Sequence, residues 1–208
     1  MKRIRGIYTA PDNNIITCDD VQSFNLLCQI VNSNEYVLVE NPSCKGVFST
    51  LNNNNIKIKT IAIDSQGIKT SMLPSHLPKL IFTTPSQQFP TGVILPINRR
   101  IDLVKYAMQH NTYIIEDDYD SKFRFDGSPI QSMHLLVPEH VIYEGTFSKT
   151  LMPAIRIGYM VLSSSLCQSL KNVKYLADIH SPFLEQITLS QFIKLGYFER
   201  HLKNMRKL

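Results

Sequence analysis

The chain has 208 residues, 43% apolar and 19% charged, enough for one well-buried core of ordinary globular make-up. It holds no run of about 18 apolar residues, which excludes a helical membrane span, and no apolar signal core follows the basic start Lys2 to Arg5, so a cytoplasmic location is expected. The formal net charge of +5 gathers at Lys2 to Arg5 and Arg200 to Lys207, which read as solvated faces. Cys18, Cys28, Cys44 and Cys167 lack metal-ligand spacing and fit reduced thiols.

In chain order, Asn14 to Thr17 reads as a short strand. Asp19 and Asp20 then offer an N-cap for a helix carrying Val21, Phe24, Leu27, Ile30 and Val31 at helical spacing. Tyr36 to Glu40 is expected as a buried strand, and Cys44 to Leu51 as a short helix closed by Asn52 to Asn55. Ile56 to Ile63 and Leu80 to Thr83 are further strands. Ile97 to His110 has a helical period, with Ile101, Val104 and Tyr106 to Met108 as its apolar positions. Thr112 to Ile115 and His140 to Tyr143 are strands, and from about Ser164 the tail is mainly helical, broken at Pro182. This alternation implies an α/β fold with right-handed crossovers and a mostly parallel sheet carrying helices on both faces. Ligands of such sheets sit beyond the carboxyl ends of the strands. Attention therefore falls on the loops after Thr83, Ile115 and Tyr143.

The last of these loops runs Gly145-Thr146-Phe147-Ser148-Lys149-Thr150, with Arg156-Ile157-Gly158-Tyr159 shortly after. A lysine among hydroxyls, with an arginine seven residues further on, suits a phosphorylated aldehyde. The amine condenses with the carbonyl, while hydroxyls and guanidinium hold the phosphate. A surface lysine in a polar loop is the plainer alternative. The preceding strand leads into Glu116-Asp117-Asp118-Tyr119-Asp120, four carboxylates and a phenol. A carboxylate beside a pyridine nitrogen keeps the ring protonated and electron-withdrawing. A metal site or a solvated turn stays open for these acids, although His110 and His134 read as ordinary surface or core residues. The first loop holds Pro90-Thr91-Gly92, a turn signal of little specificity by itself.

Taken in order, Gln88 to Gly92, Glu116 to Ser121, Gly145 to Leu151 and Arg156 to Tyr159 resemble the MocR family, from about Ile4 to the last residue. Its members are bacterial regulators joining a GntR-type winged helix-turn-helix to a fold-type-I aminotransferase domain. The resemblance implies pyridoxal 5'-phosphate as cofactor and Lys149 as its Schiff-base lysine. It implies Asp117 at the pyridine nitrogen, Tyr119 at the ring oxygen, and Thr146, Ser148 and Arg156 around the phosphate. It further implies an amino compound as effector, a homodimer in the intact protein, and no direct nucleic-acid binding by this segment.

The sequence departs from the family at two places. A Ser-Gly-Ala-Gln type turn usually cups the phosphate, where this chain has Thr17-Cys18-Asp19-Asp20-Val21-Gln22. A carboxylate about 4 Å from a phosphate charge costs on the order of 4 kcal/mol at an effective dielectric of 20. That is roughly three decades in affinity. Cys44 also stands where relatives carry an aromatic residue able to stack on the ring, a loss of roughly 1 kcal/mol. Gln87 and Lys122 are milder changes. The whole of 1–208 reads as a partial large domain, without the winged helix or the C-terminal small domain, and as a fragment or truncated product. Phe198, Leu202 and Met205 of its last helix are expected to lack a packing partner. Three readings follow: a sensor domain, an active aminotransferase using Lys149 as general base, and a remnant that no longer holds cofactor. DNA binding by the basic ends is a fourth and weak reading, since no recognition helix is evident.

Overall fold

In the computed structural model, the structure describes residue 7 and residues 9–121 and 130–207. The basic stretch Lys2 to Arg5 and Lys122 lie outside them. Among the described residues one eight-stranded sheet runs in the order β1-β8-β7-β6-β5-β2-β3-β4. Its strands are β1 (Asn14–Thr17), β2 (Tyr36–Asn41), β3 (Lys57–Asp64), β4 (Gly67–Ile68), β5 (Leu80–Thr83), β6 (Tyr113–Asp117), β7 (Val141–Thr146) and β8 (Gly158–Val161). β3, β2, β5, β6 and β7 are mutually parallel, while β4, β8 and β1 add antiparallel edges. The expected mostly parallel α/β sheet is therefore present. β4 and β8, both very short, are additions to the reading of the sequence.

Among the described residues six α-helices cover it: α1 (Asp19–Cys28), α2 (Lys45–Asn53), α3 (Ile97–His110), α4 (Ser164–Asp178), α5 (Phe183–Lys194) and α6 (Tyr197–Met205). Side chains alternate across the strands, so each central strand feeds two cores. Val37, Val39, Leu80, Phe82, Ile115 and Ile142 meet Phe24 and Leu27 of α1, Leu51 of α2 and Leu170 of α4. Leu38, Ile81, Ile114 and Val141 meet Leu103, Val104 and Ala107 of α3 on the other face. Strands buried on both sides are the expected form of a parallel sheet.

The final helix corrects an expectation. Phe198 and Leu202 are buried, at 4% and 3% exposure, because Phe198 packs edge-on against Phe147 with ring centroids 5.6 Å apart. His201 Nε2 also lies 2.9 Å from the carbonyl oxygen of Thr150. Of the three apolar residues only Met205 stays exposed. This helix thus holds the loop that carries Lys149 against the sheet. His134 is a satisfied core residue, its Nδ1 2.6 Å from the Val141 carbonyl oxygen. The four cysteines are free thiols, and no described helix is long and apolar enough to cross a membrane.

Candidate ligand cleft

The carboxyl ends of β5, β6 and β7 lie side by side, with Thr83 opposite Glu116 and Asp117 opposite Glu144. Strand alternation sorts the four acids of the β6 end. Glu116 turns to the α3 side, where Ser132 Oγ donates to it at 2.6 Å and the fully buried Arg100 lies 3.4 Å away. Asp118, also fully buried, accepts from the Tyr143 hydroxyl and from Ser121 Oγ at 2.5 Å. Asp120 pairs with Lys149 Nζ at 2.9 Å. That leaves Asp117 facing a cavity of about 100 Å³, shared with Asp20, Cys44 and Glu144. Cys44 lines this cavity just ahead of α2, so its thiol stands where a stacking ring was expected to be missing.

Lys149 follows β7, with its side chain about half exposed. Its Nζ lies 4.9 Å from the centre of the Tyr119 ring. Burial, helped by the neighbouring Asp120 and Asp117 charges, pushes the Tyr119 phenol up to about 12. The hydroxyl therefore stays protonated at neutral pH and serves as a donor. Burial also raises the Asp117 carboxyl well above the usual carboxylate range, and Asp20 and Asp118 add to the effect. Glu144 is raised for the same reasons, burial first and then Asp117 and Asp20. It is 1% exposed, and its Oε1 has no hydrogen-bond partner among the described residues.

A second group of side chains closes the end of the cleft where β1, β7 and β8 meet, with Gly158 paired to both Thr17 and Thr146. Here the Thr146 and Ser148 hydroxyls and the Arg156 guanidinium converge, as the sequence pattern predicts. All three donate to one acceptor, the carboxylate of Asp19. Asp19 was expected to cap α1, and it does not. The N-cap position is Cys18, whose backbone N–H is met by Gln22 Oε1 at 2.7 Å, and Asp20 accepts from the Val21 N–H instead. Asp19 has φ +71, the left-handed region. A side chain on Gly158 would place its Cβ 2.8 Å from the Asp19 carbonyl carbon, so glycine is what lets the two backbones touch.

All six residues singled out from the sequence therefore border the carboxyl end of the central strands: Lys149, Asp117 and Tyr119 in one group, Thr146, Ser148 and Arg156 in the other. Two participants were missed, namely Asp120 as the partner of Lys149 and Glu144 in the cavity wall, whereas Asp19, expected to bring a carboxylate to the phosphate turn, is the acceptor of the cup. A lone carboxylate directly after the apolar run Val141 to Tyr143 was the signal available for Glu144.

A family model described as aminotransferase class I and II matches residues 1–207. The uncharacterized HTH-type transcriptional regulator YdeL of Bacillus subtilis is 38% identical over 205 residues, covering 98% of this chain and 44% of the regulator. The probable rhizopine catabolism regulatory protein MocR of Rhizobium meliloti is 34% identical over 210 residues, covering 100% of the chain and 43% of that protein. The chain thus spans less than half the length of these regulators. Among solved structures, the alpha-aminoadipate aminotransferase LysN of Thermus thermophilus, complexed with N-(5'-phosphopyridoxyl)-L-leucine, is 27% identical with a TM-score of 0.89. That match covers 96% of this chain and 53% of LysN. The family model spans almost every residue, and the chain belongs to the aminotransferase class I and II family.

Proposed function

We propose that this chain is the ligand-sensing, aminotransferase-like domain of a MocR-type transcriptional regulator. Lys149 would receive the carbonyl of a pyridoxal compound, and an amino compound would act as effector. The observation that carries this reading is Lys149 in the loop after β7, its amine paired to Asp120 and lying over the ring of Tyr119, both from the loop after β6. Pyridoxal 5'-phosphate is the cofactor of the family, and this cleft suits the two ends of that molecule unequally. At the ring end an amine, a carboxyl and a protonated phenol stand ready. At the phosphate end the two hydroxyls and the guanidinium are committed to Asp19.

Within this reading Asp120 holds the Lys149 amine toward the cleft, and Tyr119 offers its hydroxyl as a donor beside it. Asp117 closes the floor. The domain would work as part of a longer protein and as a homodimer. The exposed apolar side chains Leu176, Ile179, Phe183 and Leu184 support that assembly, and sedimentation of the longer protein tests it.

The test of the ligand reading is an absorption titration with pyridoxal and with its phosphate, wild type beside Lys149→Ala. A band that forms with either compound only when Lys149 is present is the expected result. Identical spectra from the two proteins with both compounds would remove the reading.

A further inference from the structure

We infer that Asp19 is a resident plug in the anion cup. Its carboxylate takes the place of a ligand phosphate, so the cleft accepts a pyridoxal-type aldehyde with an uncharged arm in preference to the phosphorylated one. This rests on the reading of Lys149 as the ligand lysine and names the ligand class that the cleft takes.

Three donors from two elements aim at one point: the Thr146 hydroxyl, the Ser148 hydroxyl at 2.5 Å, and the Arg156 guanidinium. Such a set is built for an anion, since neutral hydroxyls and a guanidinium all donate. The anion present is the chain's own, with the Asp19 side chain only 3% exposed while Arg156 is half exposed. The backbone fixes it there. Asp19 sits in the left-handed region, which aspartate tolerates as a single residue. It also lies against Gly158 so closely that the main chain has no room to retreat toward β8. Freeing the cup would mean swinging the carboxylate out of three bonds without moving the backbone.

Charge sets the direction of the preference. One guanidinium already faces one carboxylate, and a phosphate monoester adds a charge of about −1.5 to −2. Asp20 lines the adjoining cavity, and among the described residues no lysine or arginine lines it. A phosphate entering beside Asp19 therefore loses about a hundredfold to a thousandfold in affinity. A hydroxymethyl arm meets no such penalty, because an ionised carboxylate is an acceptor and the hydroxyl can donate to it.

The experiment is equilibrium dialysis of the full chain against pyridoxal, pyridoxal 5'-phosphate and inorganic phosphate, for wild type, Asp19→Gly and Asp19→Asn. Glycine adopts the φ of this position without strain, and asparagine tolerates it while losing the charge. The expected result is a wild type that binds pyridoxal at least as tightly as its phosphate and ignores inorganic phosphate. Both variants should gain at least a hundredfold for the phosphorylated aldehyde and should bind inorganic phosphate. Wild type holding the phosphorylated aldehyde within threefold of the variants would overturn the plug and leave the proposed function standing. No binding of any probe by folded variants would overturn both. The wild-type ratio of pyridoxal to its phosphate needs no variant, and a ratio favouring the phosphate a hundredfold would by itself overturn the inference.

Discussion

Replacing Arg100 by alanine is expected to lower stability by about 3–5 kcal/mol, the usual cost of stripping one partner from a buried ion pair. Arg100 is completely buried, and its guanidinium donates to the carbonyl oxygens of Leu95 at 2.9 Å and Pro85 at 2.7 Å. It also reaches Glu116 at 3.4 Å and the Gln131 carbonyl at 3.3 Å. Alanine would leave the fully buried Glu116 without its countercharge and several carbonyls without donors. For a chain of this size about 3 kcal/mol corresponds to a fall of roughly 10 °C in the melting midpoint. Urea unfolding of wild type and Arg100→Ala provides the measurement. The pair Arg100→Met with Glu116→Gln should recover part of the loss, because no buried charge then remains alone. A loss below about 1 kcal/mol in the single variant would show that this guanidinium does not hold the β5 and β6 ends together.

Glutamine at position 144 is expected to stabilise the protein at alkaline pH and to change little in acid. Glu144 lies within β7 with one oxygen unpartnered, beside Asp117 and Asp20. Burial raises its carboxyl well above the usual value, so the folded state retains a proton that the unfolded chain releases near pH 4.3. A raised folded value gives stability that is complete below the unfolded value and is lost as pH rises through the folded one. Glu144→Gln removes this linkage. Wild type and variant should agree near pH 4 and separate by about 1–3 kcal/mol by pH 8, the variant being the more stable. Urea midpoints measured from pH 4 to 9 test this, and a constant offset at every pH would refute it.

Most of the frame was legible because strand and helix patterns here obey simple periods. Val37 and Val39 alternate with Tyr36 and Leu38, and Val104 and Ala107 face the core at helical spacing, whereas Ile101 and Met108, expected beside them, are exposed and Leu103 takes their place. The motif residues likewise gathered where a parallel sheet puts its ligands. What escaped was set by side-chain direction rather than by residue type. Two aspartates before a helix read as caps, yet Asp19 turned its carboxylate across to Thr146, 127 residues away in sequence. The matching turn of the family signals a carboxylate at the phosphate position, but its bonds to Thr146 depend on Gly158 letting β8 come close. The acids of the β6 end could have been separated by the alternation of strand side chains, which sends Glu116 and Asp117 to opposite faces. Phe198 found its partner in Phe147 through a long-range contact that helical periodicity cannot reveal.

The position of β1 bears on how the chain acquires its shape. β1 precedes β2 in sequence, but β8, β7, β6 and β5 lie between them in the sheet. The first strand therefore has no docking surface until the segment around Gly158 has been made and folded. Loop closure over such distances is slow, and folding rates fall as contacting residues lie further apart in sequence. During synthesis the parallel centre from β2 to β7 can assemble while β1 waits. The cup around Asp19, where β1, β7 and β8 meet, is then the last part of the cleft to become native, and the first to be lost if β8 loosens.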